Sequence, residues 1–172
     1  MLKYLAILLF LIIFQTNAYA ADIFEYPAKA KEVAEKLPQL NSVTCTFNQE
    51  KTFKNKTLKS GGNFKFEKDK GVTFETLYPV KSTSSYSTNQ NKQINEVVTG
   101  IANKDYSFIN KNFNLFYVEQ SGEWTVALKP KDKSPAASQL ESIIINGQTN
   151  IKKISIKTLN GSSTSINFSC GL

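Results

Sequence analysis

Residues 58–79 read Leu58-Lys59-Ser60-Gly61-Gly62-Asn63-Phe64-Lys65-Phe66-Glu67-Lys68-Asp69-Lys70-Gly71-Val72-Thr73-Phe74-Glu75-Thr76-Leu77-Tyr78-Pro79. Phe64 and Phe66 alternate with Asn63, Lys65 and Glu67. After the turn residues Asp69-Lys70-Gly71, the set Val72, Phe74, Thr76 and Tyr78 alternates with Thr73, Glu75 and Leu77. A period of two with one apolar and one polar side predicts two antiparallel strands, buried on one face and wet on the other. Gly61-Gly62 inside the first strand predicts a bulge or bend where the sheet curves strongly. Pro79 ends the second strand because it cannot donate to a ladder.

The same period extends outward. Upstream, Val43, Cys45, Phe47, Gln49 and Lys51 share one side of a strand; Thr44, Thr46, Asn48 and Glu50 share the other. Before it, Ala30, Val33, Ala34 and Leu37 fall at i, i+3, i+4 and i+7, the apolar face of a short helix opened by Pro27 and ended by Pro38. Downstream, Ser/Thr/Asn-rich strands are expected over Ser82–Thr88 and Lys92–Val98, and a short helix around Asp105–Ile109. Phe113–Glu119 and Trp124–Lys129 flank Ser121-Gly122, a hairpin signal. Ser134–Leu140 reads as a helical turn after Pro130. Glu141–Ile145, Lys152–Leu159 and Ser163–Cys170 are the last strands, with turns at Asn146-Gly147 and Asn160-Gly161. About nine or ten antiparallel strands and one clear helix cannot form two full layers, so the expected architecture is mainly β (α+β). It is an incomplete, strongly curved antiparallel barrel with the N-terminal amphipathic helix as its lid.

Met1-Leu2-Lys3, the apolar run Leu5–Phe14 and Ala18-Tyr19-Ala20 have the layout of a cleavable secretory signal. The run is shorter than the roughly 20 residues that span a bilayer. Residues 1–20 are therefore expected to be a signal peptide and 21–172 a single domain in the periplasm. In an oxidising compartment Cys45 and Cys170 suggest a disulfide; the alternative is two buried free thiols acting as small apolar fillers.

The formal charge is +7, with no histidine. Arginine is absent too, which argues against bidentate recognition of bases or phosphates, and no nucleic acid partner is expected. The lysines are spread along the strands and read as a solvated face. Without histidine a Ser-His-Asp or Cys-His nucleophile cannot form, and two cysteines far apart make no zinc spacing. Glu67, Asp69 and Glu75 lie among lysines and read as salt partners rather than as an acid–base pair. No enzyme, cofactor or metal is expected. The chain should be a monomer.

The runs Phe47-Asn48-Gln49, Gly61–Lys68 and Val72–Pro79, followed by Gly122–Pro130, Leu140–Gly147 and Asn160–Thr164, resemble the LolA-type outer-membrane lipoprotein carriers across nearly the whole mature chain, nearest to their LolA-like branch. The resemblance implies a periplasmic carrier that takes the acyl chains of lipoproteins or other lipids into an apolar cavity between half-barrel and helical lid. An inner-membrane exporter would be the donor and an outer-membrane protein the acceptor. The residues it points to for lipid binding are Phe47, Phe64, Phe66, Phe74, Tyr78, Val33 and Leu37, with Lys68 at the lid latch. The family has arginine at Lys68, proline at Asp69 and tryptophan at Phe74. A latch made by Lys68 lacks the planar guanidinium fork. Aromatic stripes at period two are also what a plain filled core looks like, and the alternative is a secreted structural or adhesion β domain without ligand.

Overall fold

The computed structural model describes residues 22–40, 42–67, 70–85 and 92–171. Residues 1–20, expected to be a signal peptide, and Lys68 lie outside them. Among the described residues nine strands form one antiparallel sheet: β1 (Val43–Phe53), β2 (Lys56–Glu67), β3 (Gly71–Tyr78), β4 (Ser82–Ser85), β5 (Phe113–Gln120), β6 (Glu123–Pro130), β7 (Leu140–Gly147), β8 (Ile151–Thr158) and β9 (Ser163–Cys170). Their spatial order is β4-β3-β2-β1-β9-β8-β7-β6-β5. Two meanders are thus joined where the first strand pairs with the last. Among the described residues there are three α-helices, α1 (Ala30–Lys36), α2 (Lys92–Asn103) and α3 (Ser107–Asn112).

Alternation places one row of side chains after another on the same face. The register runs Phe74–Phe64–Cys45–Cys170 across β3, β2, β1 and β9. Gln49 faces Ile166, which faces Ile154, then Ile145, Val126 and Tyr117 across to β5. Most of these residues are buried, and the face they share is concave. On the other face the lysines meet water and surface carboxylates: Lys59 pairs with Glu50 at 2.9 Å and Lys152 with Glu123 at 2.7 Å. Such exposed pairs contribute little stability.

The register of β2 on β3 slips between Gly61 and Gly62, so the glycine pair does form a bulge. Gly61 faces Tyr78 while Gly62 faces Thr76, leaving Leu77 as the extra residue. A Cβ on Gly62 would lie 1.9 Å from the Glu75 carbonyl oxygen, so only glycine permits this approach of two backbones. Gly62→Ala is expected to cost about 2 kcal/mol, the scale of forced overpacking, read as a lower urea midpoint. An unchanged midpoint would mean that the close approach of β2 and β3 does not matter.

The bulge inverts the alternation beyond it. Tyr78 was expected on the side of Phe74 and Thr76. It lies instead on the outer face, 46% exposed, crossing Gly61 to donate its hydroxyl to Asn48 Oδ1 at 2.7 Å.

Two further expectations are corrected, and a third is met as far as the described residues go. Lys92–Val98 is not a strand but the first part of α2, because Val97, Val98, Ile101 and Ala102 repeat with the helical period and all four are buried. The strand expected over Ser82–Thr88 is seen as β4, Ser82–Ser85; its last three positions lie outside the described residues. Asn146-Gly147 is not a turn. Gly147 ends β7 opposite Trp124, whose ring would lie 2.1 Å from a Cβ there, and the chain turns at 148–150. By contrast Ser121 and Gly122 both have positive φ, as a tight hairpin turn requires, and Gly161 does too.

Between β4 and β5 the chain crosses from one sheet edge to the other, carrying α2 against β3 and α3 against β5. The two edges are blunted differently. β4 is four residues of serine and threonine. β5 is covered by the N-terminal segment: Ala28 donates its N–H to Leu115 O at 2.9 Å, and Tyr117 donates to Tyr26 O at 3.1 Å. Both devices limit edge-to-edge association.

Candidate functional site

The concave face is divided into a filled half and an open half. In the filled half, Phe64 and Phe66 lie with Leu40, Val43, Val98, Ala102 and Ile151 around residual space of only about 10 Å³. That is no more than one water molecule needs. Helix α2 does the filling, since Val98 and Ala102 are its contribution. The Phe64 ring packs on Phe168 at 4.6 Å and on Phe74 at 5.0 Å, tilted as aromatic quadrupoles prefer.

In the open half the sheet curls until β3 and β4 stand across from β8 and β9, enclosing a cavity of about 280 Å³. Its floor is Phe47, Phe74, Ile156 and Ile166; its rim is Gln49, Lys51, Thr76, Ser82, Ser84 and Thr164. No β2 residue lines it, because the row passes through Gly62, where there is no side chain. The volume is close to the lower bound for small-molecule sites, and the lining divides into an apolar floor and a larger polar rim.

Of the residues singled out for lipid binding, Phe47 and Phe74 line this cavity. Their rings meet edge to face at 5.2 Å. Phe47 is buried and Phe74 half-buried. Phe64 supports Phe74 from behind, and Phe66 lies deeper in the filled half. Tyr78 is on the other face. Val33 and Leu37 are buried, as the helical spacing predicts, but neither borders the cavity. Helix α1 lies instead near the β5 end of the sheet, where Lys36 Nζ sits 5.4 Å from the Tyr117 ring centroid. Alternation puts Gln49 and Lys51 on the Phe47 side of β1, although the lysines as a group read as a solvated face. That they share one cavity with β4 was not legible, because it depends on the curl.

Cys45 and Cys170 are disulfide-bonded, directly opposite one another on β1 and β9 with Cα atoms 4.1 Å apart. The bond joins the two meanders at their seam. Among the described residues no group of three His, Cys, Asp or Glu is placed to hold a metal ion. No described helix is long and apolar enough to cross a membrane.

Two phenols on the helix-covered side titrate abnormally. Burial, helped by a 3.0 Å hydrogen bond to Glu119 Oε2, pushes the Tyr117 hydroxyl up to about 12. Burial also raises Tyr106. The folded state therefore holds these protons more tightly than the unfolded chain, whose tyrosines titrate near about 10. The resulting stabilisation is complete below that value and is lost as pH rises through about 12. Thermal melts across this window should fall with rising pH, and Tyr117→Phe should flatten the fall. If the variant shows the same slope, Tyr117 does not carry the effect.

Fold and cavity together define an open antiparallel sheet, curled about a concave face that is part packed and part hollow. No family model matches the chain, and no curated protein matches it. Among solved structures it is similar to the LolA superfamily protein NE2245 from Nitrosomonas europaea, at 10% identity and a TM-score of 0.42, over 83% of this chain and 92% of that one. It is also similar to MucB, solved in complex with MucA(peri), at 13% identity and a TM-score of 0.44, over 88% of this chain but 56% of that one. A DUF1329 family protein from Desulfovibrio piger is similar at 10% identity and a TM-score of 0.35, over 81% of this chain and 90% of that one.

Proposed function

We propose that this protein is a periplasmic carrier that binds acyl chains of lipoproteins or other lipids in the open half of its concave face and conveys them toward the outer membrane. The observation that carries the reading is the cavity of about 280 Å³ floored by Phe47, Phe74, Ile156 and Ile166. A sheet that can bury Phe64 and Phe66 completely at one end leaves aromatic and aliphatic surface facing open space at the other. Transfer of an acyl chain from water releases about 0.8 kcal/mol per buried CH₂, so a cavity with a loose fit still binds it usefully. The Cys45–Cys170 disulfide suits an oxidising compartment. An inner-membrane exporter would load the carrier and an outer-membrane acceptor would unload it. The action is binding and release, without catalysis.

The packed half favours a second reading, a structural or adhesion β domain whose sheet simply holds its own core. A native mass spectrum of the secreted protein, with lipid extraction, separates the two. The carrier reading expects adducts of acyl-chain mass that organic solvent removes. A spectrum of apo protein alone, unchanged after incubation with lipid, would favour the structural domain.

A further inference from the structure

The cavity has a polarity that the carrier reading does not require. Along β1 its inward residues run Phe47, Gln49, Lys51, from the packed end to the mouth. Steps of two residues on a strand advance about 6.6–6.8 Å, so aromatic floor, amide and ammonium follow one another over a distance on the scale of a short acyl chain. Gln49 is held in place by donating to Ser60 Oγ at 3.2 Å. Among the described residues that line the cavity, Lys51 is the only charged one and none is acidic. The carboxylates nearest in sequence and register are committed elsewhere. Glu50 is on the opposite face with Lys59 at 2.9 Å, and Glu75 accepts from Asn63 Nδ2 at 2.8 Å on the outer side. Among the described residues no ion pair involves Lys51.

Inward charges commonly protect sheet edges from pairing, but β1 lies between β2 and β9 and has no free edge. The hydroxyl-bearing residues Ser82, Ser84, Thr76 and Thr164 ring the same mouth. We infer that the cavity selects acyl-chain amphiphiles with an anionic head, the chain lying on Phe47, Phe74, Ile156 and Ile166 and the head meeting Lys51. The inference rests on the acyl-chain reading and adds its head-group selectivity.

The test uses the mature protein loaded with the neutral fluorophore N-phenyl-1-naphthylamine and displaced by amphiphiles of one chain length: dodecanoate, dodecanol and dodecyltrimethylammonium. Dodecanoate is expected to bind about tenfold more tightly than dodecanol, the equivalent of one well-placed charge-assisted contact. The cation should bind weakest, and the preference for dodecanoate should shrink as salt is added. Lys51→Gln, at an exposed position, should bring dodecanoate and dodecanol to the same affinity, chiefly by weakening dodecanoate, with the circular dichroism spectrum unchanged. Equal affinity of wild-type protein for dodecanoate and dodecanol would overturn the head-group inference and leave the acyl-chain reading standing. A Lys51→Gln variant that weakens both equally would also overturn it, by giving Lys51 a merely structural part. No displacement by any of the three would overturn the acyl-chain reading itself.

Discussion

Phe74→Glu is expected to abolish binding of a neutral hydrophobic probe while the sheet stays folded, and Phe66→Glu is expected to unfold the protein. The two phenylalanines sit on adjacent strands and the same face, yet their surroundings differ. Phe74 is half-buried at the wall of the cavity, so a carboxylate there reaches water. Its stability cost is mainly the lost ring contacts with Phe47 and Phe64, of about 0.5–1.5 kcal/mol each. Phe66 is 3% exposed in the packed half, beneath Val98 and Ala102 of α2. Deleting such a ring costs about 3–5 kcal/mol before the desolvation of an unpaired carboxylate is added. Domains of this size have only about 5–15 kcal/mol to lose. Circular dichroism and probe fluorescence on both variants give the answer. Undiminished binding by Phe74→Glu would remove the cavity as the binding site. A folded Phe66→Glu variant that loses binding would move the ligand under α2.

Replacing both cysteines by alanine is the second large effect. Cys45 and Cys170 are separated by 125 positions, so their bond closes a long loop when the chain is unfolded. In the chain-entropy model a loop of this length is worth about 4–5 kcal/mol. The bond also lies where it matters, at the β1–β9 pairing through which the sheet passes from one meander to the other. The double variant should show a urea midpoint lowered in proportion, and thiol counting on the denatured, unreduced wild-type protein should find no free thiol. Two reactive thiols in that count would return both residues to the role of apolar fillers.

Much of this architecture was readable locally. Alternation at Val43–Lys51, Asn63–Glu67 and Trp124–Lys129 marks strands because residue period two is a property of the extended chain itself. Gly61-Gly62 announced the bulge, and Ser121-Gly122 and Asn160-Gly161 announced their turns, because positive φ or close backbone approach demands small residues there. Helix α2 was misread although its sequence has the helical period. Its first residues include the β-branched Ile94, Val97 and Val98, which favour a strand, and the 3.6-residue spacing is plain only when Ile101 and Ala102 are included. Asn146-Gly147 misled for another reason: Gly147 is small for the sake of Trp124, a residue distant in sequence, and no turn is involved.

The sequence by itself determined the mainly antiparallel sheet, the inward rows that hold Phe47, Phe64, Phe66 and Phe74, and the candidate pairing of Cys45 with Cys170. These depend on backbone period, turn chemistry and composition, each expressed within a few residues. Only the tertiary structure decided which part of the concave face is packed and which is hollow. That outcome rests on α2 crossing from the β4 edge to lie over Phe66, on the β2–β3 slip that sends Tyr78 outward, and on the curl that brings Ser82 and Ser84 opposite Ile156 and Thr164. Each is a contact between segments far apart in the chain, set by how volumes fit once the sheet has closed, and no local pattern encodes it.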